Sequence, residues 1–411
     1  MQITAAPALL TVFHRPDDPW SVLLLQCLPG LVAQYDVQLR FVTVPLPGPD
    51  FAPRPPALMA NGLRDAADLR RHLALAFPAE PRAPDPADTA LATRILLARR
   101  DSASYLDTAL TLGAALFAAP EAAQRVLARS EKTIALPTPE QAAATLAANG
   151  EAQQALGHYH SAMIHFEGGW YWGIDRLFHL ETVLINRGFR RGTGVPGVVP
   201  HRATPALPAL NLPPGAEPEL RFYCSFRSPY AYIAAARTFA LGRRYRLRVS
   251  PRLIIPMKMA GFAIPKIKAD YFRTDCAREG LRHGVPFGHF TDPFGAGLRR
   301  AMALYPLAEA AGQGEAWILS VMRGVWVEGR DLADDTDLAA LAARAGLDPA
   351  EALRHADPDA DLSWADRHRE ELARYDQYAA PVFVIGDYMT WGQDRLWMLE
   401  AVLERALARR A

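Results

Sequence analysis

Cysteine is scarce in this chain. Its 411 residues include 3 cysteines, Cys27, Cys224 and Cys276. No two form a C-x-x-C pair or a metal-ligand spacing, which argues against a disulfide framework and fits a reducing cytoplasm. A surplus of charge is missing too, with 45 Lys+Arg against 44 Asp+Glu. There is thus no electrostatic footprint for nucleic acid. No apolar run reaches the length of a bilayer span. The opening MQITAAPALLTVFHRPDDPW lacks a basic stretch followed by a long apolar one, so no signal peptide and no membrane partner are expected. The 11 histidines form no H-x-x-x-H pair flanked by an acid, and no metal is expected.

What is present is a repeat. WGIDRLFHLETVL runs from Trp172 to Leu184, and WGQDRLWMLEAVL from Trp391 to Leu403. With the same offset Tyr159 meets Tyr378, and AMIHF (162–166) meets PVFVI (381–385) without a gap. Each block reads as a strand, a short turn and a helix. Leu396, Leu399, Leu403 and Leu407 fall on one helical face. The two openings also match in pattern. LLTVFHRPDDPWSVLLL from Leu9 and LRFYCSFRSPYAYIAAA from Leu220 each give a strand, a turn containing x-Pro-aromatic, and a helix. Proline suits a first helical turn because its missing N–H would be unpaired there anyway. Between the halves, residues 190–218 are rich in Pro and Gly without a helical period and read as a linker. Domains are therefore expected at 1–189 and 219–411. Each has strand–helix–strand, then helices (about 87–156 and 266–375), then strand–turn–helix, an α/β sheet with a helical insertion.

The second half carries a family resemblance. FYCSFRSPYAYIAAAR (222–237), PMKMAGFAIPKIKADYFRTDCAREGLRHGVPFG (256–288) and YAAPVFVIGDYMTWGQDRLWMLEAVL (378–403) together resemble 2-hydroxychromene-2-carboxylate isomerases and kappa-class glutathione transferases, of the DsbA-like branch of the thioredoxin fold. The resemblance implies two DsbA-like thioredoxin folds in tandem. Where thioredoxin-fold oxidoreductases carry C-P-x-C, this chain has Ser228, Pro229, Tyr230 and Ala231, so dithiol cycling is lost. A serine hydroxyl at a helix N-terminus can donate to a bound thiolate. The helix dipole there favours the same anion.

The resemblance further implies that Ser228 is the catalytic group and that Ala380 and a cis Pro381 hold a cysteinyl group. Gln393 and Asp394 would hold the γ-glutamyl end of glutathione, with Pro229, Tyr230 and Trp391 walling the substrate pocket. From the residues themselves, Ser228 also reads as a helix N-cap and Asp394 as a first-turn acid favoured by the dipole. Where family members carry an Asn in G-N-x-P-P, residues 259–265 here have none. Lys258, Lys266 and Lys268 read mainly as a solvated helix face. Cys224 and Cys276 read as small buried hydrophobes.

The first half has Asp18 at the serine position and Ala162 at the proline position. A carboxylate at the first would repel a thiolate. His158 and His160 read as structural residues on one side of a strand. This half thus keeps a framework and loses the site, as a scaffold, lid or pseudo-subunit. The expected function is a cytoplasmic, glutathione-dependent isomerase or transferase acting on a small electrophile, as a monomer or a homodimer. The rivals are a non-catalytic binding scaffold and, with both cysteines missing, a thiol–disulfide oxidoreductase relative.

Overall fold

In a computed structural model, residues 6–193, 196–210, 212 and 217–408 are described. The chain divides into two compact units. Unit 1 is Met1–Ala206 with Pro265–Tyr271; unit 2 is Leu207–Ile264 with Phe272–Ala411.

Unit 1 begins with β1 (Ala8–His14), α1 (Pro19–Gln34) and β2 (Val37–Thr43). Five helices follow: α2 (Pro55–His72), α3 (Pro86–Ala98), α4 (Tyr105–Leu116), α5 (Pro120–Glu131) and α6 (Pro139–Ala155). The chain then returns through β3 (Met163–Phe166), β4 (Gly169–Trp172) and α7 (Leu177–Asn186). The sheet order is β2-β1-β3-β4. β1 and β2 are parallel, and β3 and β4 run antiparallel to their neighbours. Pro19 opens α1, and Asp18 caps it by accepting from the Trp20 N–H. Thr138 and Gln141 form a reciprocal capping box at the start of α6.

Unit 2 repeats this plan. β5 (Glu219–Cys224), α8 (Pro229–Tyr245) and β6 (Arg248–Leu253) open it. The helical insertion comprises α9 (Lys266–Arg282), α10 (Ala296–Ala303), α11 (Tyr305–Ala310), α12 (Gly314–Trp326), α13 (Asp335–Arg344), α14 (Pro349–His355) and α15 (Ser363–Ala373). β7 (Val382–Ile385), β8 (Tyr388–Trp391) and α16 (Leu396–Ala408) close it. The order β6-β5-β7-β8 copies unit 1 strand for strand. Phe222 of β5 and Phe383 of β7 are fully buried and stack at 5.4 Å between ring centroids. Trp317, Ile318, Val321 and Val325 of α12 fill the same core.

The repeated phrases fold as the sequence suggests. Trp172 and Trp391 end the last strands, Ile174–Arg176 and Gln393–Arg395 form single 3-10 turns, and the leucines enter the final helices. Tight packing fixes the position of α8: a Cβ on Gly242 would run into Val249 of β6. Gly242→Ala is expected to lower the stability of unit 2 by about 1–3 kcal/mol, read as a lower urea midpoint at unchanged m-value.

Three expectations change. Residues 265–271 group with unit 1, although in sequence they belong to the second half. The 190–218 stretch, part of which (194–195, 211 and 213–216) lies outside the described residues, is bound rather than free along 197–207. The buried Glu181 carboxylate accepts from the Gly197 and Val198 N–H groups at 2.8 and 3.2 Å. Further on, Arg202 N–H donates to the His72 carbonyl at 2.8 Å, and the Leu207 carbonyl accepts from Arg405 at 2.7 Å. His158 and His160 lie in the connection between α6 and β3, not in a strand. Positive φ at Gly157 (96°) and Ala162 (57°) bends the chain on either side of them. Among the described residues, no helix is long and apolar enough to cross a membrane.

Candidate functional site

The C-terminal end of β5 delivers Ser228 to the start of α8. Its Oγ accepts from the Ala231 N–H at 3.2 Å and donates to the Ala380 carbonyl at 3.2 Å. One hydroxyl therefore caps the helix and joins it to the loop before β7. The Ala380–Pro381 bond is cis. Ser228, Pro229, Tyr230, Ala380 and Trp391 are all partly buried, so the hydroxyl lies at an open edge and not in the core. No acid occupies the first turn of α8, leaving the positive end of its dipole uncompensated. Arg227, next in sequence, is held bidentate by Asp292 at 2.7 and 2.7 Å.

The other candidate residues gather along α8. Gln393 is 1 % exposed. Its carbonyl accepts from Arg237 at 2.8 Å, and its amide donates to Glu279 and to Asp394. Gln393 is thus committed inside the fold, where it holds Asp394; Asp394 itself is partly buried. Arg237 stands roughly 13 Å of helix rise beyond Ser228, and its side chain leans back toward the helix start. Tyr230 gives its hydroxyl to Asp275 at 2.8 Å and meets Phe272 edge-on. Trp391 packs against the cluster of Tyr223, Ile254, Val382 and Met389.

Sequence reasoning missed Arg237, Asp275 and Glu279. Asp275 and Glu279 are 0 and 1 % exposed and lie four residues apart on α9, one helical turn. Their neighbour Cys276 is also fully buried. Two acids on the face that holds a buried cysteine were the available signal. Arg278 pairs with Asp275, and the Arg282 and His283 side chains each approach Glu279 at 3.8 Å. Of the three lysines, Lys266 is exposed and pairs with Asp270, and Lys258 lies 4.6 Å over the Phe294 ring. Lys268 is instead 7 % exposed, against the expectation of a solvated face. All three cysteines are buried, and none is in a disulfide among the described residues. Burial raises the Cys27 thiol to about 12 and the Cys224 thiol further still.

A family model described as the DSBA-like thioredoxin domain matches residues 219–404. The C-terminal half of this chain is a DsbA-like thioredoxin domain. Its curated relatives include 2-hydroxychromene-2-carboxylate isomerase of Pseudomonas putida, 28 % identical over 45 % of this chain and 93 % of the relative. The isomerase of the same name from Sphingobium xenophagum is 29 % identical over 44 % of this chain and 96 % of its own length. A solved 2-hydroxychromene-2-carboxylate isomerase aligns with 26 % identity over 47 % of this chain and 97 % of its own, at a TM-score of 0.40. Unit 1 repeats the strand order and pairing of the DsbA-like half, so the chain contains the fold twice.

Proposed function

We propose that unit 2 is a glutathione-dependent isomerase or transferase and that Ser228 stabilises the glutathione thiolate. The observation that carries this reading is the Ser228 hydroxyl, held at 3.2 Å from both the α8 backbone and the Ala380 carbonyl at a partly open helix N-terminus. When a thiol arrives, the hydroxyl proton turns from the Ala380 carbonyl to the sulfur. That bond and the dipole of α8 lower the thiol pKa toward neutrality. The thiolate adds to the β-carbon of an α,β-unsaturated carboxylate and forms a C–S bond, while the π electrons move toward the carboxylate. Rotation about the resulting single bond, then expulsion of the thiolate, yields the isomer. Asp394 takes the glutathione ammonium, and Gln393 positions Asp394.

Unit 1 is, in this reading, a tandem copy of the fold without the serine, and the protein works in the cytoplasm as a monomer or homodimer. Glutathione must raise the melting temperature by mass action if it binds the native state. A titration to millimolar concentration is expected to raise the midpoint and to add thiolate absorbance near neutral pH. A flat titration would instead favour a non-catalytic binding scaffold. The thiol–disulfide reading has little support, since each cysteine is buried and, for Cys27 and Cys224, far from thiolate formation.

A further inference from the structure

Three charged side chains hold Gln393 in unit 2. Its carbonyl accepts from Arg237 Nη1 at 2.8 Å, and its amide donates to Glu279 Oε2 and to Asp394 Oδ1. These partners decide which way the amide lies. A guanidinium has donors only, so Arg237 requires the amide oxygen on its side and turns the NH2 toward the carboxylates. Glu279 takes one of the two N–H groups, and the other fixes Asp394. Glu279 is itself anchored: it is 1 % exposed on α9, with Arg282 and His283 each at 3.8 Å. The Asp394 carboxylate is thus oriented before any ligand arrives, which removes the cost of ordering it on binding.

Unit 1 shows that the fold does not require this network. By the repeat, Ile174 stands where Gln393 does and Asp175 where Asp394 does. Counted from Pro19 and Pro229, Cys27 stands where Arg237 does. The single 3-10 turn forms in both units, and α1 packs against it as α8 does. Ile174 and Cys27 are 7 and 2 % exposed, so unit 1 makes this join with apolar contact. Burying a glutamate and an amide in unit 2 carries a desolvation cost that the apolar pair avoids. The acid of the turn is common to both units. The residues that orient it occur only in the unit that has Ser228.

We propose that Arg237 and Glu279 are positioning residues which, acting through Gln393, make the site selective for thiols that carry a free α-ammonium group. The inference rests on the reading of Asp394 as the partner of the glutathione ammonium. A charge-assisted hydrogen bond weakens steeply as its angle closes, so the direction of the carboxylate matters as much as its charge. Without Arg237 the Gln393 amide can flip and set its oxygen against Asp394, which swings that carboxylate away. Without Glu279 the amide loses the anchor that holds its second N–H on Asp394.

The test titrates the full chain, by calorimetry, with glutathione and with glutaryl-cysteinyl-glycine, which is glutathione lacking only its amino group. Wild type is expected to bind glutathione on the order of tenfold tighter than this analogue, the scale of one well-placed charge-assisted bond. Gln393→Ile, which copies unit 1, and Glu279→Ala are each expected to weaken glutathione about tenfold and to leave the analogue within about twofold, so selectivity collapses. Glu279→Gln keeps an acceptor oxygen for the Gln393 amide and should restore most of the selectivity. Folding of each variant is checked by its urea midpoint, and Gln393→Ile decides alone if Glu279→Ala does not fold. A parallel loss for both thiols would show that the network only supports the fold and overturns the proposal, as would unchanged glutathione affinity in the variants. If wild type binds neither thiol, the glutathione reading itself fails and the inference falls with it.

Discussion

Ser228→Ala is expected to lower glutathione-dependent isomerisation by about 10²–10³-fold, the usual effect of removing one hydrogen-bond donor from a developing or bound anion. The same substitution deletes a helix N-cap, which costs about 1 kcal/mol and moves the melting midpoint of a domain this size by roughly 2–4 °C. Activity and stability therefore need separating, and unit 1 supplies the means. Ser228→Asp installs the residue that caps α1. An aspartate caps a helix as well as a serine does, so the cap is kept, and any fall in the melting midpoint reports the lost bond to the Ala380 carbonyl. Its carboxylate repels a thiolate, so thiolate absorbance and turnover should fall at least as far as in Ser228→Ala. A fully active Ser228→Asp protein would refute the thiolate role and leave Ser228 as a cap. The measurements are steady-state rates at saturating glutathione and melting curves for the same preparations.

Local signals carried much of this structure. The W-G-x-D-R-L phrases mark strand, turn and helix in both units because each step has its own short-range cause: period-two apolar residues, a glycine with positive φ at 173 and 392, then leucines at helical spacing. The prolines at 19 and 229 open helices as the missing N–H predicts. Long-range pairing was not legible. Nothing local to Pro265–Tyr271 reveals that it groups with unit 1, since which unit a segment joins depends on surfaces hundreds of residues away. The composition of 190–218 reads as a linker, and Glu181, an acid inside an apolar helix, binds two of its N–H groups. At the candidate site, Ser228 and Ala380 are brought together as the resemblance implied. Gln393 turned inward because Arg237 and Glu279 meet it there. Position 18 shows the limit of reasoning by substitution. Asp18 reads as the loss of one chemistry, and only the folded chain shows two hydroxyls turned onto it.

Acidification should unfold unit 1 in a window set by its histidines. His14 is 1 % exposed, and its Nε2 shares a hydrogen bond with the buried Tyr105 hydroxyl. Burial lowers the His14 pKa to about 4 from 6.5, outweighing the opposing pull of Arg15 backbone bonding and the Asp17 charge. His160 is shifted the same way, again chiefly by burial. Between pH 6.5 and 4 the unfolded chain thus binds protons that the folded chain refuses, so stability falls as pH falls through this window and is fully retained above it. The His14 shift corresponds to about 3 kcal/mol at 1.36 kcal/mol per unit, an upper figure that partial hydration on opening would reduce. With His160 acting in the same sense, the loss is a large part of the 5–15 kcal/mol by which proteins are ordinarily stable. His14→Phe removes one of these titrations and leaves the Tyr105 hydroxyl bonded to Thr43. That variant should be less stable than wild type at pH 7 yet lose less stability on going to pH 4.5, when urea midpoints are compared at both values. Carboxylates also titrate in this range, but they do so equally in both proteins. Equal losses on acidification would show that His14 takes up its proton inside the fold and has no part in acid unfolding.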